Sequence, residues 1–309
     1  MKKFFIILLI CSESFATNFK VVEKQVGDVK LPFVRNADVI LNEHGEENSY
    51  SSKADFSEVE RLAPLDARLL NAIQPANLRQ LTMEEFNQLY ARLGSGPMPY
   101  GDYSGFVLQK PPTYGAIKKR ILKQIQGASA FMAVAKQVCQ REAEDCLFEF
   151  IWKGKRFYPK NALDQVEART AVNFLSAGFK FTDLIPGFLK PKAVEDALDF
   201  AEGVIDKNSL TLFPMNTYCG ISQLDTRRES IIIDAAFSDD FASYIPLRDE
   251  VITRKNLNIT EEFRMLRPGL YIGKVYSNKL LLFNLVLEKS GALTVKDSAN
   301  ACFDGTKTR

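Results

Sequence analysis

Histidine is almost missing from this sequence: His44 is the only one among 309 residues. It sits in a polar, turn-rich stretch, so a Ser-His-Asp or Cys-His nucleophile system lacks its base. No histidine pair and no Cys-x-x-Cys pair occurs, and no metal site is expected. No Gly-x-x-x-x-Gly-Lys-[Ser/Thr] loop is present. The glycines between 94 and 105 are interrupted by Pro97 and Pro99 and read as a turn, so no cofactor is expected either. Net charge is also scarce, at a formal +2, which leaves no broad basic footprint for nucleic acid. No apolar run approaches the roughly 20 residues of a membrane-spanning helix.

What is present begins with an export signal. Lys2 and Lys3 form a basic start, Phe4 to Ile10 an apolar stretch, and Ser14-Phe15-Ala16 places small residues before a cut at Thr17. Ile10 before Cys11 does not suit a lipoprotein cut. The expected location is periplasmic or secreted. Removing residues 1–16 leaves four cysteines, and an even count in an exported chain suggests disulfides. The favoured pairs are Cys139–Cys146, closing a short loop, and Cys219–Cys302, tying the tail to the rest of the domain. Four reduced cysteines in a core are the alternative.

Along the chain, residues 17–60 are weakly apolar, and the polar run Asn42 to Lys53 leads to the expectation of a mobile N-terminal segment. A helical lead-in covers 61–93, within a stretch of helical spacing that starts near 56. Leu62, Leu65, Leu69, Leu70 and Ile73 recur at that spacing, and Thr82 with Glu85 reads as a capping box. A long amphipathic helix is expected at 115–138. Phe148, Phe150 and Trp152 alternate with polar or smaller neighbours at strand period. Helices are expected near 162–176 and 191–205, as an insertion at about 162–206. From 209 on the pattern is strand after strand: 209–213, 217–222, 229–237, 262–266, 270–276, 280–288 and 291–296, with a tight hairpin over 276–280. The fold class is α+β. An antiparallel β-barrel or strongly curved sheet, of calycin or lipocalin type, occupies 94–309 with N-terminal and inserted helices, because closure removes exposed strand edges.

Four segments occur in a characteristic order: Gly96-Pro-Met-Pro-Tyr-Gly-Asp-Tyr-Ser-Gly105, Trp152-Lys-Gly-Lys-Arg-Phe157, Arg248-Asp249-Glu250 and Pro268-Gly-Leu-Tyr-Ile-Gly-Lys274. The chain thereby resembles a group of uncharacterised bacterial exported proteins carrying these motifs, across roughly residues 94–288. The resemblance implies a compact β domain and lends no activity.

Three functional readings compete. The first is a non-catalytic barrel that binds a small amphipathic or lipidic ligand, with the site at one mouth near Trp152, Lys155, Asp234, Arg248 and Tyr271. Aromatic walls with a few polar groups suit such a pocket, and Arg248 is a planar donor for a carboxylate or phosphate. The second is a secreted interaction or host-directed protein whose core is filled. The third is an enzyme acting on an envelope component, which needs at least two of Asp225, Asp234, Arg248 and Asp249 to converge in a cleft. The basic, apolar face of Ile117 to Ile125 is a further candidate for peripheral membrane contact.

Overall fold

The computed structural model describes residues 19–36, 55–116, 152–158, 169–176, 209–241, 244, 246–293 and 302. Eight strands form a closed antiparallel barrel: β3 (Gly101–Gln109), β4 (Trp152–Tyr158), β5 (Arg169–Ser176), β6 (Ser209–Ile221), β7 (Glu229–Asp234), β8 (Ile259–Arg267), β9 (Leu270–Ser277) and β10 (Leu280–Lys289). Each pairs with its sequence neighbours, and β10 closes on β3. This is up-and-down order, the simplest way to remove every edge from a sheet.

Period-two alternation decides the faces. Ile259, Phe263, Tyr271, Val275, Phe283, Leu285 and Leu287 point inward with Tyr103, Val107, Phe157, Ile231 and Ile233. The intervening residues Leu266, Leu270, Ile272 and Val286 lie on the outer face. They are covered by an N-terminal layer made of a hairpin, β1 (Phe19–Val26) and β2 (Val29–Asn36), and helices α2 (Ala67–Ala72) and α3 (Met83–Arg92), while α1 (Phe56–Leu62) packs on β2 and α3. The barrel is thus lined on both faces of one flank, which explains why β9 is buried along its whole length.

Local chemistry fixes the turns. Asn278 and Lys279 both adopt positive φ between the paired Ser277 and Leu280, as a type I′ hairpin requires. Pro268-Gly269 joins β8 to β9 with Gly269 at φ +76°, a position for which glycine is suited. Thr82 and Glu85 form the expected capping box at the start of α3.

Four expectations need correction. Residues 19–36 of the supposed mobile segment form the β1–β2 hairpin, because Val26, Val29, Leu31 and Phe33 present one apolar face to the helices and barrel. The helix expected over 162–176 gives way to β5 at Arg169–Ser176. Thr170, Val172 and Phe174 suit a strand, and β4 and β6 supply partners on both sides. The stretches 209–213 and 217–222 belong to one continuous strand, β6, irregular at Phe213, where φ is +61°. No strand forms at Gly291–Leu293. The run 42–53, the helix 191–205 and nearly all of the helix 115–138 lie outside the described residues, as do Cys139 and Cys146. The Cys219–Cys302 disulfide is present.

The two ends of the barrel differ. At one, the connections β6–β7 and β8–β9 are short, and the segment Gly94–Gly101 runs against the strands. Met265 N–H donates to the Gly94 carbonyl, Tyr271 Oη to that of Pro97, and Cys302 N–H to that of Gly96. Met98 belongs to the inner core there, beside the edge-on ring contacts of Tyr103 with Phe157 and Tyr271. At the other end the chain leaves and re-enters through the long connections β3–β4, β5–β6 and β7–β8.

Candidate functional site

Among the described residues the largely apolar inner wall carries one buried ion pair, Lys155 with Glu261. Lys155 on β4 is 1% exposed, and its ammonium donates to Asn173 Oδ1 at 2.6 Å and to Glu261 Oε1 at 2.9 Å. β4 and β8 are four strands apart in a ring of eight, so this ion pair crosses the barrel. Trp152 Nε1–H donates to the same Asn173 oxygen at 3.0 Å, and the Lys155 ammonium stands 5.9 Å from the Trp152 ring centre. Burial pulls the Lys155 ammonium below its ordinary value, and the Glu261 carboxylate works against that shift.

A break in register makes the cluster. Trp152 and Lys155 are three apart, so plain alternation would send them to opposite faces. The β4–β5 register shifts between Trp152 and Gly154, and Gly154 has φ +147°. This bulge turns Trp152 inward. Gly105 then leaves room for its ring: a Cβ there would meet the Trp152 edge at 2.6 Å.

Two polar atoms on the inner wall have no hydrogen-bond partner: Glu261 Oε2 and Thr217 Oγ1. Both residues are only 5% exposed. Thr217 pairs with Ile233 and Ile233 with Glu261, so the two flank one apolar residue at the same level of the barrel. Buried polar groups normally find partners, so these two are exceptions on this wall.

The residues expected at the site divide. Trp152 and Lys155 come together as described. Tyr271 lies in the aromatic layer at the end closed by Gly94–Gly101, where its hydroxyl donates to the Pro97 carbonyl at 2.6 Å. Asp234 stands at the opposite end, but on the outer face with Ile232. There it accepts from Ala236 N–H at 2.7 Å and from Tyr218 Oη at 3.2 Å. The Tyr218 hydroxyl is pushed up to about 12 by burial and by that carboxylate. Arg248 belongs to the short helix Pro246–Asp249, and its side chain lies outside the described residues. Asp225 and Asp234 bracket β7 at opposite ends of the barrel, so these two do not converge in one cleft. Asp225 is held by Arg227.

Glu261, Asn173 and Thr217 were not foreseen. A signal existed for Glu261: in Ile259-Thr-Glu-Glu-Phe263 a carboxylate occupies the apolar phase of the strand. Thr217, between Met215 and Cys219 in the same phase of β6, gives a weaker one.

The outer face carries a second buried polar network, and it is closed. The Arg264 guanidinium uses all five N–H groups, on Ser230 Oγ and on the carbonyls of Tyr90, Ala91, Asp225 and Arg228. Glu262 accepts from Tyr276 Oη and from the Gln223 N–H, each at 2.7 Å. Burial, and after it the Glu262 charge, raises the Tyr90 and Tyr276 hydroxyls well above their ordinary value, so both stay protonated.

Among the described residues no group of three or more histidine, cysteine or carboxylate side chains is placed to hold a metal ion, and no helix is long and apolar enough to cross a membrane. Comparison with family models, curated proteins and solved structures returns no match. The class defined by the geometry is an eight-stranded up-and-down antiparallel barrel with a covered flank.

Proposed function

We propose that this is an exported, non-catalytic barrel that holds a small amphipathic molecule between β6, β7 and β8. The observation that carries the reading is the pair of unpartnered, buried polar atoms, Glu261 Oε2 and Thr217 Oγ1, on an otherwise apolar inner wall. An apolar wall with a few convergent polar groups is the ordinary make-up of a ligand site. Eight-stranded barrels have room either for side chains alone or for one small ligand. The aromatic layer and Met98 fill one end, so a ligand enters from the end with the long connections. Export rests on the basic and apolar start of the chain, and the Cys219–Cys302 disulfide suits an oxidising compartment.

Trp152 is the only tryptophan, so its fluorescence reports on this cluster alone. Purified full-length protein is expected to release a small amphipathic molecule on solvent extraction, and Trp152 emission is expected to shift when that molecule is added back. Neither a released molecule nor any change of Trp152 emission with short-chain amphiphiles would sink the proposal. The alternative of a filled-core interaction protein draws on Met98, Tyr103, Phe157 and Tyr271, which pack one end with side chains.

A further inference from the structure

The disulfide joins two unequal partners. Cys219 belongs to β6, pairs with Ile231 of β7 and packs against the inner core. Cys302 lies beyond β10, outside every strand and helix, yet it is 9% exposed and belongs to that same core. Among the described residues two bonds tie it there. One is the disulfide, with 5.4 Å between the Cα atoms. The other is its N–H to the Gly96 carbonyl at 3.4 Å, long for a bond of this kind.

We propose that the Cys219–Cys302 bond is a reversible redox latch, opened on the folded protein by an external dithiol, after which Cys302 leaves the barrel end while the ring of strands stays closed. This is independent of the binding-barrel reading.

The ring does not need the bond. β10 pairs with β3 and every other strand with its sequence neighbours, so backbone hydrogen bonds close it without a covalent link. The surface that receives Cys302 is also fixed without it. A Cβ at Gly96 would meet Met265 Cβ at 2.5 Å, and Met265 N–H donates to the Gly94 carbonyl at 3.0 Å, so this segment is pressed on β8 by its own contacts. Cys302 is therefore the part that detaches. Access comes from the Cys219 side. That residue is only partly buried, and the pairing of β5 with β6 ends at Arg169–Thr217, one pair short of it on that face.

A dithiol of the Cys-x-x-Cys type supplies the two electrons. Its thiolate attacks Cys219 Sγ, the Cys219–Cys302 bond breaks, and Cys302 leaves as a thiolate that takes a proton from water. The second thiol of the reductant then displaces Cys219 as a thiol, and the reductant departs as a disulfide.

The test treats full-length oxidised protein with dithiothreitol. Pulsed alkylation with peptide mapping reads each freed thiol, and circular dichroism reads the strands. The β spectrum is expected to persist, and Cys302 should alkylate within about tenfold of the rate of a thiol in the urea-unfolded chain. Reoxidation should restore its protection. The rate of reduction should be flat in urea below the unfolding transition, because a local route exposes little surface. Cys219→Ala frees Cys302 without any reductant; it should fold and show the same fast alkylation. Three results would each overturn the latch: slower alkylation of Cys302 in the folded variant, reduction only under conditions that unfold the barrel, or failure of Cys219→Ala to fold.

Discussion

Glu261 and Glu262 are neighbours in one strand and meet opposite fates. Glu262 faces the N-terminal layer, and both its oxygens are used, by Tyr276 and by the Gln223 N–H. Glu261 faces the barrel interior, where Lys155 holds one oxygen and the other has no partner. Arg264, two residues past Glu262 on the same outer face, spends every N–H group on protein acceptors. The outer network is closed and joins two layers of structure. The inner one is open. Closed networks make a fold unique, whereas an open valence in an equally dry place is a cost that binding can relieve.

The sharpest way to break the comparison is to delete its outer half. Arg264→Met removes five hydrogen bonds that tie β8 to Ser230, to α3 and to the turn before β7, and should cost about 4–5 kcal/mol, the top of the range for breaking a buried charged network. Urea unfolding measures it; a loss under about 1 kcal/mol would show that the network is not cement.

The inner half predicts a different pattern. Lys155→Met alone should cost about 3–4 kcal/mol, because Glu261 is left charged and buried. Lys155→Met with Glu261→Leu should recover most of that, since an apolar pair of similar volume is often as stable as a buried ion pair. The double variant should fold like the parent and, on the proposed binding reading, no longer take up an amphiphile. If it stays as unstable as the single variant, the pair is structural and the two regions do not differ as argued.

The smallest effect concerns acid. Glu85 ties the β1–β2 hairpin to α3 by accepting from Lys24 at 2.5 Å, Arg35 at 2.9 Å and the Thr82 N–H at 2.8 Å. Burial opposes its ionisation, but these donors prevail and hold the carboxyl below its usual value of 4.5. A depressed carboxylate contributes stability that is complete above the unfolded value and is lost as pH falls through the folded one. Glu85→Gln should therefore cost about 1–2 kcal/mol at pH 7 and flatten the decline of melting temperature below about pH 4.5. An unchanged acid limb would mean that the hairpin is not held through Glu85.

Much of this molecule is written locally. The alternation in residues 259–289 marks three strands and both their faces. Thr82 and Glu85 mark a helix start, and the 276–280 hairpin turn was readable as well. These features depend on residues a few positions apart, where propensity and hydrophobic period dominate. Other features were hidden for a physical reason. Arg169–Ser176 becomes a strand because β4 and β6 flank it, and residues 19–36 become a hairpin because the barrel flank needs a cover. The Cys219–Cys302 pairing, by contrast, was the favoured one in the sequence and is present in the fold.

The expectation of export, the near-neutral charge and the single histidine come from the order of the residues alone. The ends of the candidate site do not. Lys155 and Glu261 are 106 residues apart and meet only because eight strands close into a ring; Trp152 joins them only because a bulge shifts it by one position. Alternation in a sequence tells which residues share a face. Which faces oppose each other across a closed interior, and which polar atoms are left there without a partner, is decided by the curvature and register of the whole sheet.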